Sequence, residues 1–165
     1  MRRSTRYLVA VVAIAVGSAW PMMAAAQTTQ KPSARLADVM SMLQSRHSKL
    51  WTAAQQGNWE LAGYELELVK AGLTDAIGLY NDIPVGNITM VDGPLKSLDG
   101  AIAARSSAAF GKAFGELTTG CNACHQSTGR GFIVMKVPTT SPFGNQSFAP
   151  GPGQDKNKDK DAKRR

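Results

Sequence analysis

Between Ser33 and about Ala54 the side chains Leu36, Met40, Leu43, His47, Leu50 and Ala54 recur at alternating steps of four and three. That spacing is the a/d seam of a bundled helix, with one imidazole in an otherwise apolar row. Gly57-Asn58 then supplies a stop followed by an N-cap, and a second stripe puts Trp59, Ala62, Leu66, Val69, Leu73, Ala76 and Tyr80 on one face. The segment Asn81 to Gly86 breaks this pattern. A shorter helix is expected from about Met90 to Ala103, with Val91, Leu95, Leu98 and Ile102 facing inward. Pro94 suits a first turn, which moves its expected start towards Gly93. Ser106 or Ser107 caps a fourth helix whose seam is Phe110, Phe114, Leu117, Cys121 and Cys124.

No alternating strand pattern competes between Ser33 and Gln126. Four helices joined by short turns predict an all-α fold, an antiparallel up-down-up-down four-helix bundle. After Gly129-Arg130-Gly131 the composition changes to a short apolar run ended by Pro138, then a stretch rich in Pro, Ser, Thr and Asn. Phe132, Ile133, Phe143 and Phe148 are too apolar to leave in water, so this segment is expected to be an ordered, extended C-terminal strap over the bundle.

The ends of the chain read differently. Arg2, Arg3 and Arg6 precede an unbroken apolar run from Leu8 to Val16, and Ala24-Ala25-Ala26 offers small residues for cleavage before Gln27. These are the parts of a secretion signal. Tyr7 to Ala26 nearly reaches the ~20 residues of a spanning helix, but Gly17, Pro21 and the small-residue exit favour cleavage. The organisation expected is a signal peptide over 1–26, one helical domain with its strap over 27–149, and a disordered charged tail over 150–165.

Charge narrows the choice of partners. The formal net charge of +7 includes three signal arginines, and Lys156, Lys158, Lys160, Lys163, Arg164 and Arg165 concentrate the remaining basic excess in the tail. The folded body is therefore close to neutral, which argues against nucleic acid. Cleavage of the signal also argues against stable membrane insertion and places the mature chain in the periplasm.

Two cysteines three residues apart are too few and too close for a disulfide framework. Helical residues three and four apart share a face, so Cys121, Cys124 and His125 of Cys121-Asn122-Ala123-Cys124-His125 project together from the inner side of the fourth helix. Covalent haem needs that arrangement. Two thiols one turn apart bond to the two vinyl groups, and the adjoining histidine reaches the iron. Three rivals are weaker. A thiol-disulfide oxidoreductase keeps its cysteines at a helix N-terminus, where the dipole lowers the thiol pKa, and these lie near a C-terminus. A zinc site built from Cys121, Cys124, His125 and His47 would need two adjacent residues at two corners of one tetrahedron. A chance match would expose two idle thiols to an oxidising compartment.

With its signal peptide, four helices and Cys-Asn-Ala-Cys-His late in the last helix, the chain resembles the class II c-type cytochromes, the cytochrome c-prime type four-helix-bundle family. The resemblance spans roughly Ser33 to Gln126, and the haem motif is its one specific element. It implies one haem c between the helices at one end of the bundle, with Cys121 and Cys124 as attachment points and His125 as iron ligand. Two departures stand out. Forty residues follow His125, where the family usually ends soon after the motif. The sixth iron position, typically faced by an apolar residue or a methionine on the first helix, is offered His47 here.

His47 is accordingly expected to be the second iron ligand, with Met40, Met135 or a vacant position as the alternatives. An occupied sixth position implies electron transfer with redox partner proteins, and no enzymatic activity. An open one implies a five-coordinate haem binding gases such as nitric oxide or carbon monoxide, or weak peroxidase-like catalysis. A homodimer is compatible with either. Trp51, Trp59 and Tyr64 are expected to pack around the first interhelical turn. Arg130 is open to two roles, as partner of a haem propionate or as an exposed loop residue.

Overall fold

Local chemistry sets where the helices start and stop. The computed structural model describes residues 35–79, 83 and 85–152. Within them lie four α-helices: α1 (Leu36–Gln55), α2 (Trp59–Leu79), α3 (Val85–Ala103) and α4 (Ser107–Ser127). The described residues contain no strand. The expected signal peptide, Tyr80 and all but the first three residues of the expected tail fall outside them.

α1 ends in a Schellman motif, in which Gly57 adopts φ +73° and the Asn58 and Gly57 amides donate to the Ala53 and Ala54 carbonyls. Asn58 then caps α2, its Oδ1 accepting from the Leu61 amide at 3.1 Å. α3 and α4 finish the same way, with Arg105 at φ 49° and Gly129 at φ 70° in the left-handed position. Ser106, of the two serines expected, caps α4 by accepting from the Ala109 amide.

One boundary departs from the sequence reading. α3 begins at Val85, so Pro94 sits inside the helix rather than in its first turn. A proline there leaves the carbonyl four residues earlier without its helical donor, which is the Met90 carbonyl. Packing outweighs that cost, because α4 approaches closely at this level. A Cβ added at Gly120 would lie 2.8 Å from Val91 Cγ1 and 3.2 Å from the Met90 oxygen. Gly72 plays the same part between α2 and α1, where an added Cβ would come 2.8 Å from Leu43 Cδ2.

Glycine therefore lets α1 pack tightly on α2, and α3 on α4. α1 and α4 meet instead through large side chains. His47, Trp51, Phe110 and Phe114 fill the space between them, with ring centroids 4.3 Å apart for His47 and Phe114 and 4.9 Å for Trp51 and Phe114. Trp59 adds an edge contact to Phe110 at 6.1 Å. Tyr64 departs from expectation and is exposed.

The core is complete in the middle of the helices and open at one end. Leu50, Leu66, Leu98, Phe110, Phe114 and Leu117 are fully buried, whereas Leu36, Met40 and Leu43 in the first half of α1 are only half-covered. Glu65, also buried at 1 % exposure, is held by Arg46 Nη1 at 3.2 Å. After α4, Phe148 is buried in the core and Phe143 packs against it. Phe132 and Ile133 are exposed, contrary to the expectation that they would be covered. The backbone there is pinned beside the last turn of α4, the Ile133 amide donating to the Arg130 carbonyl and the Ile133 carbonyl accepting from His125.

Candidate functional site

The half-open end of α1 faces the last two turns of α4, which carry the cysteine–histidine motif. Cys121, Cys124 and His125 share one face there, each half-buried, and both thiols are free. Burial pushes the Cys121 thiol up to about 11, with the neighbouring Cys124 adding to the shift, and burial raises Cys124 too. Thiols shifted this way are poor thiolate nucleophiles, the reverse of what disulfide exchange requires. No three His, Cys, Asp or Glu side chains among the described residues come together as a metal-binding group, so the zinc tetrad does not assemble.

His125 is oriented by the segment that follows it. Gly129 reverses the chain, and the Arg130 amide donates back to the His125 carbonyl at 2.7 Å. Ile133 then presents its carbonyl to His125 Nδ1 at 2.8 Å. A carbonyl only accepts, so Nδ1 carries the proton and Nε2 keeps its lone pair. Nε2 has no partner among the described residues. An imidazole with Nδ1 tied to a carbonyl and Nε2 free has the usual arrangement of a metal-ligating histidine. The residues thus fit covalent haem, with two thiols one turn apart, an oriented ligand nitrogen, and half-covered apolar side chains opposite.

Sequence reasoning missed the residue that anchors this reversal. Asn122, inside the motif, donates through Nδ2 to the Met135 carbonyl at 2.9 Å and accepts at Oδ1 from the Met135 amide at 2.7 Å. Its place between the two cysteines gave no signal, because its partner lies thirteen residues away. Among the described residues Arg130 has no ion pair with an acidic side chain; its guanidinium donates to the Thr128 carbonyl, and its charge acts on the half-buried Cys124 thiol. Met135 is engaged through its backbone.

His47 lies on α1 opposite Thr118, one turn before Cys121. Thr118 donates its hydroxyl proton to the Phe114 carbonyl at 2.8 Å, so at 2.9 Å it is His47 Nε2 that donates to Thr118 Oγ1. The structure does not bring His47 and His125 into contact. Seven residues of helix, roughly 10 Å of rise, separate the levels of Thr118 and His125. The pairs 47 with 118 and 51 with 114 put Met40 at the level of His125.

Burial lowers the His47 pKa from 6.5 to about 4, so the imidazole is neutral at pH 7. The unfolded chain takes up this proton near pH 6.5 and the folded chain only near 4, so between those values the unfolded state binds more protons. Stability is therefore lost as pH falls from about 6.5 to about 4, by up to ~3 kcal/mol at 1.36 kcal/mol per pH unit. Urea midpoints of the polypeptide without cofactor, measured across this range, should fall. His47→Leu should show a flatter dependence.

A groove of about 750 Å³ between α3 and α4, lined by Met90, Pro94, Lys112, Glu116, Thr119 and Ala123, lies on the opposite face of α4. It has no converging set of titratable groups. No described helix is long and apolar enough to cross a membrane. No family model, curated protein or solved structure matches this chain.

Proposed function

We propose that this chain is an exported monohaem c-type cytochrome that carries electrons in the periplasm, with haem c bonded through Cys121 and Cys124 and His125 as an iron ligand. The observation that carries this reading is the His125 ring, whose Nδ1 is tied to the Ile133 carbonyl while Nε2 has no partner among the described residues, on the helix face that carries two free thiols. When bound, the haem supplies a one-electron couple. The chain's own residues hold it, orient its ligand and limit access of water.

The architecture we assign is an antiparallel up-down-up-down bundle crossed by a C-terminal strap. Its support is that partners on successive helices lie about equally far from the turn between them, as Arg46 and Glu65, Lys70 and Asp99, and Val91 and Gly120 do, and that along α1 His47 meets Thr118 while Trp51 meets the earlier Phe114. The strap is anchored at one end by Asn122 and His125. At the other, Asn58 Nδ2 donates to the Ala149 carbonyl and Lys49 lies 5.0 Å from the Phe143 ring centroid.

For the second ligand we assign His47, a neutral imidazole buried on α1 that would exchange its hydrogen bond with Thr118 for iron. Redox partners would approach at the strap tip, where Phe132, Ile133 and Val134 are exposed beside Arg130 and Lys136. No acidic residue occurs between 126 and 152. A second reading has one observation in its favour. Thr118 already satisfies His47, and if that bond persists the iron stays five-coordinate and binds small gases.

The test is acidified-acetone extraction of the purified exported protein, followed by absorption spectra of both redox states. Haem should stay with the polypeptide, and the iron should be low-spin without a sulfur-to-iron charge-transfer band. Complete extraction overturns the assignment. A high-spin iron at neutral pH would select the gas-binding reading, and a sulfur band would select a methionine, Met40 or Met135, in place of His47.

A further inference from the structure

We infer that the segment from Gly129 to Met135 is a latch that holds His125 in its iron-binding tautomer, with Asn122 as the positioning residue that keeps the latch closed. This rests on the haem reading above.

Asn122 occupies one of the two positions that the cysteine–histidine motif leaves open. Its side-chain amide is a donor and an acceptor held one carbon from the backbone, and it meets the Met135 peptide as a neighbouring strand would, at 2.9 and 2.7 Å. The other end of the latch is tied by the Arg130 amide to the His125 carbonyl. Between these anchors the Ile133 amide donates to the Arg130 carbonyl at 2.8 Å, closing a turn. A loop pinned at both ends and across its middle has little freedom left, and it delivers the Ile133 carbonyl to Nδ1. Asn122 therefore acts on His125 without touching it. Phe132 stays 83 % exposed at the tip of this turn, so hydrogen bonds, and not apolar burial, hold the latch.

A hydrogen bond from Nδ1 strengthens the histidine as a donor to iron and favours the ferric state. Opening the latch should raise the reduction potential and free the ring proton. Two variants open it from opposite sides. Asn122→Ala removes both bonds from within the motif. Met135→Pro removes the amide that donates to Oδ1 and leaves motif and helices untouched. Asn122→Gln keeps the amide group and should partly restore the wild-type values. Ala123→Ser, at the other open position, is the control.

The measurements are the potential of each holoprotein by spectroelectrochemistry, and exchange of the His125 Nδ1 proton by NMR of the ferrous form. Asn122→Ala and Met135→Pro should both exchange faster than wild type and raise the reduced-to-oxidised ratio at a fixed potential. Values that move no further than those of Ala123→Ser overturn the latch. A wild-type chain without covalent haem overturns the functional reading as well, whereas haem covalently bound with unmoved values overturns the latch alone.

Discussion

Replacing both thiols, as Cys121→Ala with Cys124→Ala, is expected to abolish covalent haem while leaving the bundle folded. Both side chains are half-buried on α4, and alanine is the residue most favourable to a helix, so the backbone loses little. Neither thiol takes part in a disulfide. On the proposed haem assignment the loss is therefore chemical and confined to the two thioether bonds. Denaturing gels stained for haem peroxidase activity should show a band for the wild type and none for the double variant, at equal protein and equal helical circular dichroism. Each single variant keeps one thioether and should retain part of the stain. A double variant that stains like the wild type would end the covalent assignment.

The largest effect on stability is expected from Phe114→Ala. Phe114 has no exposed surface, and its ring lies 4.3 Å from His47, 4.9 Å from Trp51 and 5.7 Å from Phe110 by centroid. It is the centre of the aromatic layer that separates α1 from α4. Removing it leaves a cavity that close helix approach cannot refill, because large side chains on both helices hold them apart. Such a truncation costs about 3–5 kcal/mol, against a total of about 5–15 kcal/mol for a natural domain. The denaturant midpoint should drop accordingly at unchanged slope. Phe132→Ala, in the segment after α4 and 83 % exposed, should stay within about 0.5 kcal/mol of the wild type. Equal midpoints for the two variants would mean that the core is not where the structure puts it.

Phe132 and Phe148 show why apolarity alone could not locate the core beyond α4. Phe132, Ile133, Phe143 and Phe148 look alike in the sequence, and a single expectation of burial covered all four. Phe148 is buried and Phe132 is not. What divides them is backbone anchoring: Asn58 fixes the chain beside Phe148 over the first interhelical turn, while Asn122 and His125 fix it beside Phe132 at the end of α4. Pro94 misled for a related reason. Proline at a helix start is a sound local expectation, and the close packing of Gly120 against α3 overrides it.

What the sequence determined by itself is what a helix dictates over three or four residues. The seams of α1, α2 and α4, the caps at Asn58 and Ser106, and the common face of Cys121, Cys124 and His125 all follow from a fixed rise and turn per residue. Each is legible because both partners lie within one turn. The tertiary structure alone decided partners drawn from distant positions: Arg46 for the buried Glu65, Thr118 for His47, Met135 for Asn122, and the Ile133 carbonyl for His125. A buried or half-buried polar group must be satisfied, but many donors and acceptors could satisfy it. Which one does so depends on how the helices pair and where the chain reverses, and no local spacing encodes that.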